Sequence, residues 1–528
     1  MSTASYHIPG GDFEGGGAAS RALKEQLKRV GADPAVVRRA MIAAYEAEMN
    51  VVIHSHGGDL QALIEEDRLE VVISDDGPGI PDIEQAMRPG FSTASAKARE
   101  LGFGAGMGLP NIKKNSDRFA IESAVGRGTR VSFTIFLKPQ SLYGVGQHSI
   151  LVAAEKCHQC LRCLHVCPTR AIRVFRGRPE ILDYLCVDCT ACVAACPTGA
   201  LAMAGASQPL KPSPEATLLV PAACLVQYGP GLAPAQILTE LSTLGFGGVR
   251  LIDAWTAALR NAVLEYARTE APARPVISPA CPAVVNLIET RYPSLIPHVA
   301  PFLSPPEAAR TALGSQRSVF VALCPCQRTA LLAGGLKAEP EIIAPATLRA
   351  AVLPRLLAEA DMAAPAAEAH APADHPPEML AVTGLSHVIA LLESIENGLA
   401  GDLLAVEPWV CDEGCFGSPL LAIDPFLARH RWESAPCDRP AGATAVRISG
   451  PRKPRSGLRL DENMARAVQK LANINRLAQG LPGSNCTLCG APTCAALAED
   501  IVLGRARLDE CVRQQPDAGP PQEPKDSP

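Results

Sequence analysis

The feature that constrains this chain most is a pair of short cysteine runs, each with the spacing C-x2-C-x2-C-x3-C-P. Three thiols at this spacing can converge on three irons of one cubane cluster, and the proline turns the chain away after the fourth thiol. The runs therefore predict two [4Fe-4S] clusters. Zinc is the alternative, but a zinc site has no use for a third cysteine at the same spacing. The predicted ligands are Cys157, Cys160, Cys163, Cys167, Cys186, Cys189, Cys192 and Cys196.

The two runs make residues 146–205 resemble the two-cluster bacterial ferredoxins. In such ferredoxins the fourth cysteine of each run ligates the other cluster. The resemblance thus implies that Cys196 completes the cluster of the first run and that Cys167 completes the cluster of the second.

The chain has 528 residues and 19 cysteines, and 47% of its residues are apolar. Clustered cysteines are typical of metal ligation, whereas disulfides are rare in reducing compartments. The N-terminus has no signal-peptide pattern and no apolar stretch is long enough to cross a bilayer, so we expect a cytoplasmic protein without a membrane span. The net charge of -5 and the scattered basic residues argue against a nucleic-acid partner.

Before the cysteine runs, residues 1–139 alternate helical and strand patterns, with a long helix over 38–55 and strands over 69–76 and 129–137. Glu46 and Asn50 share one face of the helix, where a carboxylate can orient water and an amide oxygen can bind Mg2+. The first strand leads into DDGPGI at residue 75, in which Gly77 and Gly79 permit close backbone approach.

A Gly-rich loop, GFGAGMGL, follows from residue 102, and Gly128-Thr129 precedes the last strand. Free amides of such a loop can bind phosphates. The order of these motifs resembles the GHKL ATPase superfamily, particularly the anti-sigma-factor serine kinases. The resemblance implies that Glu46 is the general base, Asn50 the Mg2+ ligand and Asp75 the residue that reads adenine. It also places Gly77, Gly79, Gly104, Gly106, Gly108 and Thr129 around ATP.

A Rossmann domain is disfavoured because its Gly-rich turn follows the first strand, and here the loop comes late. The segment has no separate helical hairpin with a phosphoacceptor histidine, so the two-component sensor version of the superfamily is not supported. His54 and His56 are interpreted as structural residues at the helix end. Whether ATP is hydrolysed, transferred to a protein or only bound stays open.

The third region, residues 213–445, carries SPACP, CPC and EPWVCDEGC in widely separated places. These segments resemble the three motifs of the [FeFe]-hydrogenase catalytic domain. The resemblance implies a [4Fe-4S] cluster whose ligands are Cys281, Cys326, Cys411 and Cys415. Cys224 and Cys437 are interpreted as buried free thiols.

Four positions depart from the hydrogenase pattern. Ala280 replaces the proton-relay cysteine, and Thr329 replaces the lysine that anchors the diiron unit. Cys324 and Trp409 stand where two methionines contact that unit. Robust H2 turnover is therefore doubtful, and we expect a cubane without the diiron part or a poorly active centre used for sensing.

The last cysteines have the spacing C-x2-C-x4-C-x16-C, with the core CGAPTC. This segment resembles the small iron-sulfur domain of Rnf-complex B subunits and of the corrinoid iron-sulfur protein. A further [4Fe-4S] cluster is implied, and zinc remains the alternative. Its ligands are Cys486, Cys489, Cys494 and Cys511.

The sequence thus predicts a multi-domain α/β and α+β chain with at least two and up to four [4Fe-4S] clusters. Its parts are a GHKL α/β sandwich (1–139), a ferredoxin-like domain (146–205), a hydrogenase-like α/β domain (213–445), a small helical iron-sulfur domain (470–515) and a disordered tail (516–528). The first functional hypothesis is electron transfer to a redox partner, coupled to ATP and Mg2+. The alternative is a redox or H2 sensor that regulates a protein target by serine phosphorylation. An active [FeFe]-hydrogenase is the third.

Overall fold

The structure is a computed structural model. It describes residues 2–65, 67–94, 106–137, 148–175, 177–204, 209–229, 232–333, 340–358, 378–435, 442–455, 459–461 and 463–513. Two compact units divide the chain: the first contains residues 1–144, 173–176 and 456–528, and the second contains residues 145–172 and 177–455. Among the helices of the described residues, none combines the length and apolar character needed to cross a membrane. The predicted tail and Cys437 lie outside the described residues.

A five-stranded antiparallel sheet forms the base of the first unit, in the order β1-β2-β3-β5-β4. Alternate residues of its central strands are buried, as expected for a sheet with one face on a core. The register pairs Gly58 with Asp75 and Arg68 with Phe136. The strands are β1 Ser2–Pro9, β2 Gly57–Ile64, β3 Arg68–Asp75, β4 Arg118–Ser123 and β5 Thr129–Phe136.

The helices of this part pack on that sheet and share its core. The predicted strands agree with β3 and β5 within one residue. The long helix begins four residues before its predicted start, at Pro34, because proline suits the first helical position. The helices are α1 Ala18–Arg29, α2 Pro34–His54, α3 Ile83–Ala86 and α4 Gly108–Asn115.

The C-terminal segment belongs to the same compact unit. It contains α16 Met464–Gly480, α17 Cys494–Val502 and a short 3-10 helix, Leu508–Glu510. Leu471 and Ile474 of α16 join Leu27 of α1 in a single hydrophobic core. The Asn475 side chain also donates a 3.0 Å hydrogen bond to Ser2 Oγ of β1.

The cysteine-run region consists of short elements around two helical turns. Strand β6 pairs antiparallel with β9, so the beginning and end of the region meet. Residues 173–175 of β7 belong to the first compact unit. The elements are β6 Ile150–Val152, a 3-10 helix Ala154–Lys156, α5 Arg162–Val166, β7 Ile172–Phe175, β8 Arg178–Ile181, α6 Ala191–Ala195 and β9 Leu201–Met203.

The rest of the second unit contains two parallel sheets, of order β11-β10-β13-β14 and β12-β16-β15. Strand β10 is buried at every residue, as expected for a parallel strand covered on both faces. This mixed architecture confirms the predicted α/β fold class. The strands are β10 Ala216–Val220, β11 Gly248–Leu251, β12 Val276–Ile277, β13 Arg317–Val321, β14 Glu341–Ile343, β15 Met379–Thr383 and β16 Ala405–Trp409.

Helices alternate with these strands and place the cysteine motifs at strand-to-helix turns. The α-helices are α7 Ala222–Leu225, α8 Pro234–Ser242, α9 Asp253–Thr269, α10 Pro282–Arg291, α11 Pro305–Leu313, α12 Pro325–Ala333, α13 Pro345–Ala358, α14 Leu385–Glu396 and α15 Pro425–Ser434. The 3-10 helices are Pro293–His298 and Gly414–Gly417.

Candidate nucleotide site and iron-sulfur centres

One face of α2 carries the predicted catalytic and Mg2+ residues. Glu46 Oε1 accepts a 2.6 Å hydrogen bond from Asn111 Nδ2 of α4. One turn later Asn50 faces the start of α4, where a Cβ added at Gly108 would come within 2.9 Å of Asn50 Oδ1. A side chain at position 108 would therefore displace the Asn50 amide. The structure brings Glu46, Asn50 and Gly108 together at the N-terminal end of α4.

The turn that follows Asp75, the last residue of β3, packs against the C-terminal end of α2. Asp75 Oδ1 accepts a 2.8 Å hydrogen bond from Gly77 N. A Cβ at Gly77 would be 3.1 Å from the carbonyl oxygen of His54. Positions 46, 50 and 54 share a face of the helix and span about 12 Å. The site is therefore an elongated strip, with Asp75 at one end and Glu46 at the other.

Three of the other predicted glycines have backbone conformations that favour glycine. Gly79 and Gly128 have positive φ, and a Cβ at Gly128 would lie 1.9 Å from the Asp75 carbonyl oxygen. Thr129 follows, and its hydroxyl is 2.9 Å from that of Ser123. Gly106 also has positive φ and accepts a 3.0 Å hydrogen bond from Gly90 N. Gly104 lies outside the described residues.

The two cysteine runs fold into equivalent loops. Gln159 and Leu161 of the first run have positive φ, and so do Asp188 and Thr190 at the matching positions of the second. This conformation lets backbone amides turn toward the thiols: Gln159 N lies 3.4 Å from Cys157 Sγ, and Ala171 N lies 3.2 Å from Cys167 Sγ. Strained backbone of this kind persists where a ligand site requires it.

Charge interactions connect thiols of the two cysteine runs, and Cys192 interacts with Cys163 as well as with Cys167. Cys189 and Cys192 both interact with Cys167 of the first run. Burial raises the pKa of the Cys189 thiol to about 12 and that of Cys163 to about 11. A bound metal cluster would supply the positive charge that stabilises these thiols as thiolates.

Five cysteines of the hydrogenase-like region surround one cavity. Cys281 precedes α10, Cys324 and Cys326 lie at the start of α12, and Cys411 and Cys415 follow β16; all line the same space. Cys189 of the second cysteine run lines it as well. A hydrogen bond with Cys326 lowers the pKa of the Cys281 thiol to about 7, whereas burial raises the pKa of Cys411 and of Cys415. The five thiols can hold a [4Fe-4S] cluster.

The side chain of Gln327 fastens the start of α12 to this cavity. Its Oε1 accepts a 2.9 Å hydrogen bond from Leu323 N, and its Nε2 lies 3.6 Å from Cys415 Sγ as a donor. Ser418 Oγ donates to the carbonyl oxygen of Leu323. These hydrogen bonds connect the start of α12 to the turn after β16.

Cys415 also lines a second cavity, of about 210 Å3. Ala280 and Trp409 line it, but Thr329 does not. Thr329 Oγ1 instead donates a 2.6 Å hydrogen bond to Asp188 Oδ2. The cavity thus lacks both the relay thiol and the lysine anchor, and an indole occupies its wall. These residues do not fit the diiron unit of the hydrogenases.

The last four cysteines gather around one loop in the first unit. Cys489 interacts with Cys486 and Cys511, and Cys511 is 9% exposed. Cys494 begins α17, and its amide donates a 2.9 Å hydrogen bond to Asn485 Oδ1. Asn485 and Thr487 have positive φ, as the loops of the cysteine runs do. The arrangement suits a cluster ligand set. Cys224, the expected free thiol, is 3% exposed.

Sequence reasoning missed several residues at these sites. Asn111, Gln327 and Cys324 all contact predicted site residues or line the same cavity. For Asn111 the only local signal is its place one turn into the helix after the Gly-rich loop. For Cys324 the signal is the second thiol of the CPC motif, which the resemblance assigns to a methionine position.

Comparison with protein-family models identifies four segments. Residues 36–139 match the histidine kinase-, DNA gyrase B- and HSP90-like ATPase model, and residues 149–197 match the 4Fe-4S dicluster domain. Residues 220–329 match the iron only hydrogenase large subunit, C-terminal domain, which includes Cys281 and Cys326 but not Cys411 or Cys415. Residues 481–513 match an Fe-S cluster model. The predicted fusion is confirmed.

Among curated proteins, the serine/threonine-protein kinase RsbT of Bacillus subtilis is 30% identical over 125 residues, which are 23% of this chain and 88% of RsbT. The anti-sigma F factor of Caldanaerobacter subterraneus subsp. tengcongensis is 32% identical over 20% of this chain and 75% of its own length. Among solved structures, the [FeFe]-hydrogenase HydA1 from Chlamydomonas reinhardtii is 14% identical, with 49% of this chain and 88% of that chain covered and a TM-score of 0.35.

Proposed function

Since the chain belongs, through its N-terminal domain, to the histidine kinase-, DNA gyrase B- and HSP90-like ATPase family and carries iron-sulfur domains behind it, we propose that it couples nucleotide state to cluster redox state. It is an iron-sulfur protein with an ATP-binding domain. The proposed part is the coupling, in which ATP and Mg2+ at one site change the electron-transfer properties of the clusters.

The observation that carries this proposal is the core shared by the ATPase domain and the C-terminal cysteine domain. Leu27 and Val30 of the ATPase domain are buried in one cluster with Leu471, Ile474 and Cys511. Interiors packed in this way transmit strain, because neighbouring side chains leave few voids. A shift of α1 or α2 on nucleotide binding therefore acts directly on the surroundings of Cys511.

The strip along α2 supports the ATP half of the proposal. Asp75 accepts a hydrogen bond from the adenine amino group, and Asn50 ligates Mg2+ beside Gly108. Glu46 orients the attacking hydroxyl or water, and Asn111 holds its carboxylate in place. The strip of about 12 Å is long enough to hold the adenine ring at the Asp75 end and the phosphates at the Glu46 end.

The second unit supports the electron-transfer half. Cys411 interacts with Cys189 and forms a hydrogen bond with Thr190, the residue after Cys189. The ligands of the second ferredoxin-type cluster are therefore in contact with those of the cluster of the hydrogenase-like domain. We place one [4Fe-4S] cluster on each of the four ligand sets, with the two ferredoxin clusters as a relay.

Electron paramagnetic resonance of the full chain tests the coupling. The anaerobic protein is reduced with dithionite, and spectra are recorded with and without Mg-ATP. We expect ATP to shift a cluster signal or its reduction rate in the native chain but not in Asn50→Ala. If calorimetry shows that ATP binds but the cluster signals and reduction rates do not change with ATP, the coupling is refuted.

A second candidate is a protein serine kinase whose activity depends on cluster state. It is favoured by the 30% identity to RsbT, of which this chain covers 88%. Anaerobic incubation with γ-labelled ATP separates the two functions. If a partner protein is labelled and the labelling depends on cluster oxidation, the kinase is supported over ATP-coupled electron transfer. An ATP-dependent spectral change without labelling excludes the kinase.

A further inference from the structure

The hydrogenase-like domain contributes one thiol more to its cavity than a cubane cluster needs. Cys281, Cys324, Cys326, Cys411 and Cys415 all line it, and a [4Fe-4S] cluster takes four thiolates. Cys189, which also lines the cavity, belongs to the second cysteine run. Cys324 is 8% exposed and Cys326 is 3% exposed, so neither thiol is a surface group. One of these five thiols is therefore not a ligand when the cluster is bound.

Two thiols of one turn compete for the same place. Cys281 also contacts Cys326, but it comes from the separate turn before α10, whereas Cys324 and Cys326 are two residues apart. Cys324 Sγ and Cys326 Sγ are 3.1 Å apart. Thiolates point outward from the corners of a cube, so sulfurs bound to two irons of one cluster lie farther apart than the irons themselves. Even two thiolates on one tetrahedral metal ion, each at about 2.3 Å, are separated by roughly 3.7 Å. Cys324 and Cys326 can therefore serve only one corner.

We propose that Cys324 is an alternative ligand that shares one iron corner with Cys326. Cys281, Cys411 and Cys415 supply the other three corners. The unbound thiol of the pair stays beside the cluster, where it can replace its neighbour without movement of the backbone. This inference rests on the proposed cluster in the hydrogenase-like domain, and it does not depend on coupling to ATP.

The local structure keeps both thiols within reach of the corner. Pro325 separates them and fixes the backbone at the first position of α12. Gln327 and Ser418 anchor the Leu323 backbone immediately before Cys324. Exchange between the two thiols then requires only side-chain rotation. A thiol at position 324 also preserves the site if Cys326 is lost.

Iron content per full-length chain, measured after anaerobic purification, tests the inference. We expect Cys281→Ser to lose about four irons, the content of one cubane. Cys324→Ser and Cys326→Ser should each keep them, and the double variant should lose about four. Cys224→Ser, a buried thiol of the same domain that does not line this cavity, is the matched control and should lose none.

The loss of about four irons in either single variant, with the other unchanged, would overturn the shared corner. The ferredoxin-type signals in the reduced spectra report on folding of each variant, so a misfolded chain is recognised by their loss. Retention of all iron in Cys281→Ser would instead refute the cluster itself. The two failures are thus distinguishable.

Discussion

The Arg173 guanidinium forms an ion pair with the Asp500 carboxylate, and these side chains are only 3% and 0% exposed. Arg173 lies between the two cysteine runs, whereas Asp500 lies on α17, the helix that begins at Cys494. Arg505 also contacts Asp500, at 2.8 Å. Nearby, Val174 N donates a 2.9 Å hydrogen bond to the carbonyl oxygen of Gly490 in the CGAPTC loop. The C-terminal cysteine loop is therefore held by a segment of the ferredoxin-like region.

Replacement of Asp500 by Asn should destabilise the C-terminal cysteine domain strongly. The change removes the negative charge from a buried ion pair, and breaking such a pair costs about 3–5 kcal/mol. Limited proteolysis and iron content check this, with faster cleavage after residue 455 and a loss of about four irons expected. Asp509→Asn is the control, because the Arg507–Asp509 pair is 72% and 64% exposed. Equal protease resistance of the two variants would contradict the prediction.

Replacement of Glu46 by Gln should abolish phosphoryl transfer and leave nucleotide binding nearly intact. A general base contributes about 10²–10⁴-fold to the rate, and the amide cannot accept the proton. The measurement is γ-phosphate release or transfer, paired with calorimetric binding of ATP. Glu84→Gln, an exposed residue of α3, should behave as the native chain. A fully active Glu46→Gln chain would exclude Glu46 as the base.

Replacement of Asp75 by Asn should weaken ATP binding by about 10–150-fold. A hydrogen bond to a charged group contributes about 1.5–3 kcal/mol, and the amide also disturbs the bond from Gly77 N. Calorimetric titration with ATP and with GTP gives the result. Asp76→Asn is the adjacent control, since Asp76 is exposed. If both variants bind ATP equally well, Asp75 does not read the base.

Replacement of Gln327 by Leu should lower the reduction potential of the hydrogenase-like cluster. Gln327 Nε2 donates toward Cys415 Sγ, and hydrogen bonds to cluster sulfurs stabilise the reduced, more negative state. Each ~1.4 kcal/mol lost corresponds to about 59 mV for one electron. Redox titration followed by electron paramagnetic resonance measures the shift. Gln316→Leu, an exposed residue of the same domain, should leave the potential unchanged.

The sequence predicted those parts that depend on local pattern. The bounds of β3 and β5 follow from apolar alternation, and the loops of the cysteine runs follow from cysteine spacing. Contacts between residues far apart in the chain could not be predicted from the sequence. Asn111 lies 65 residues from Glu46, and Arg173 lies 327 residues from Asp500. Neither pair has a periodic signal, because tertiary packing alone brings the partners together.

Another long-range feature is the core that joins α16 to α1 and β1. Because Leu471 and Ile474 complete a core begun by Leu27, more than 400 residues separate its two halves in the chain. During synthesis from the N-terminus, the apolar side of α1 stays exposed to solvent until nearly the whole polypeptide has left the ribosome. Translation that stops before residue 464 therefore leaves the ATPase domain with an exposed apolar face. The ATPase domain completes its core only after the cysteine-rich segments have been synthesised.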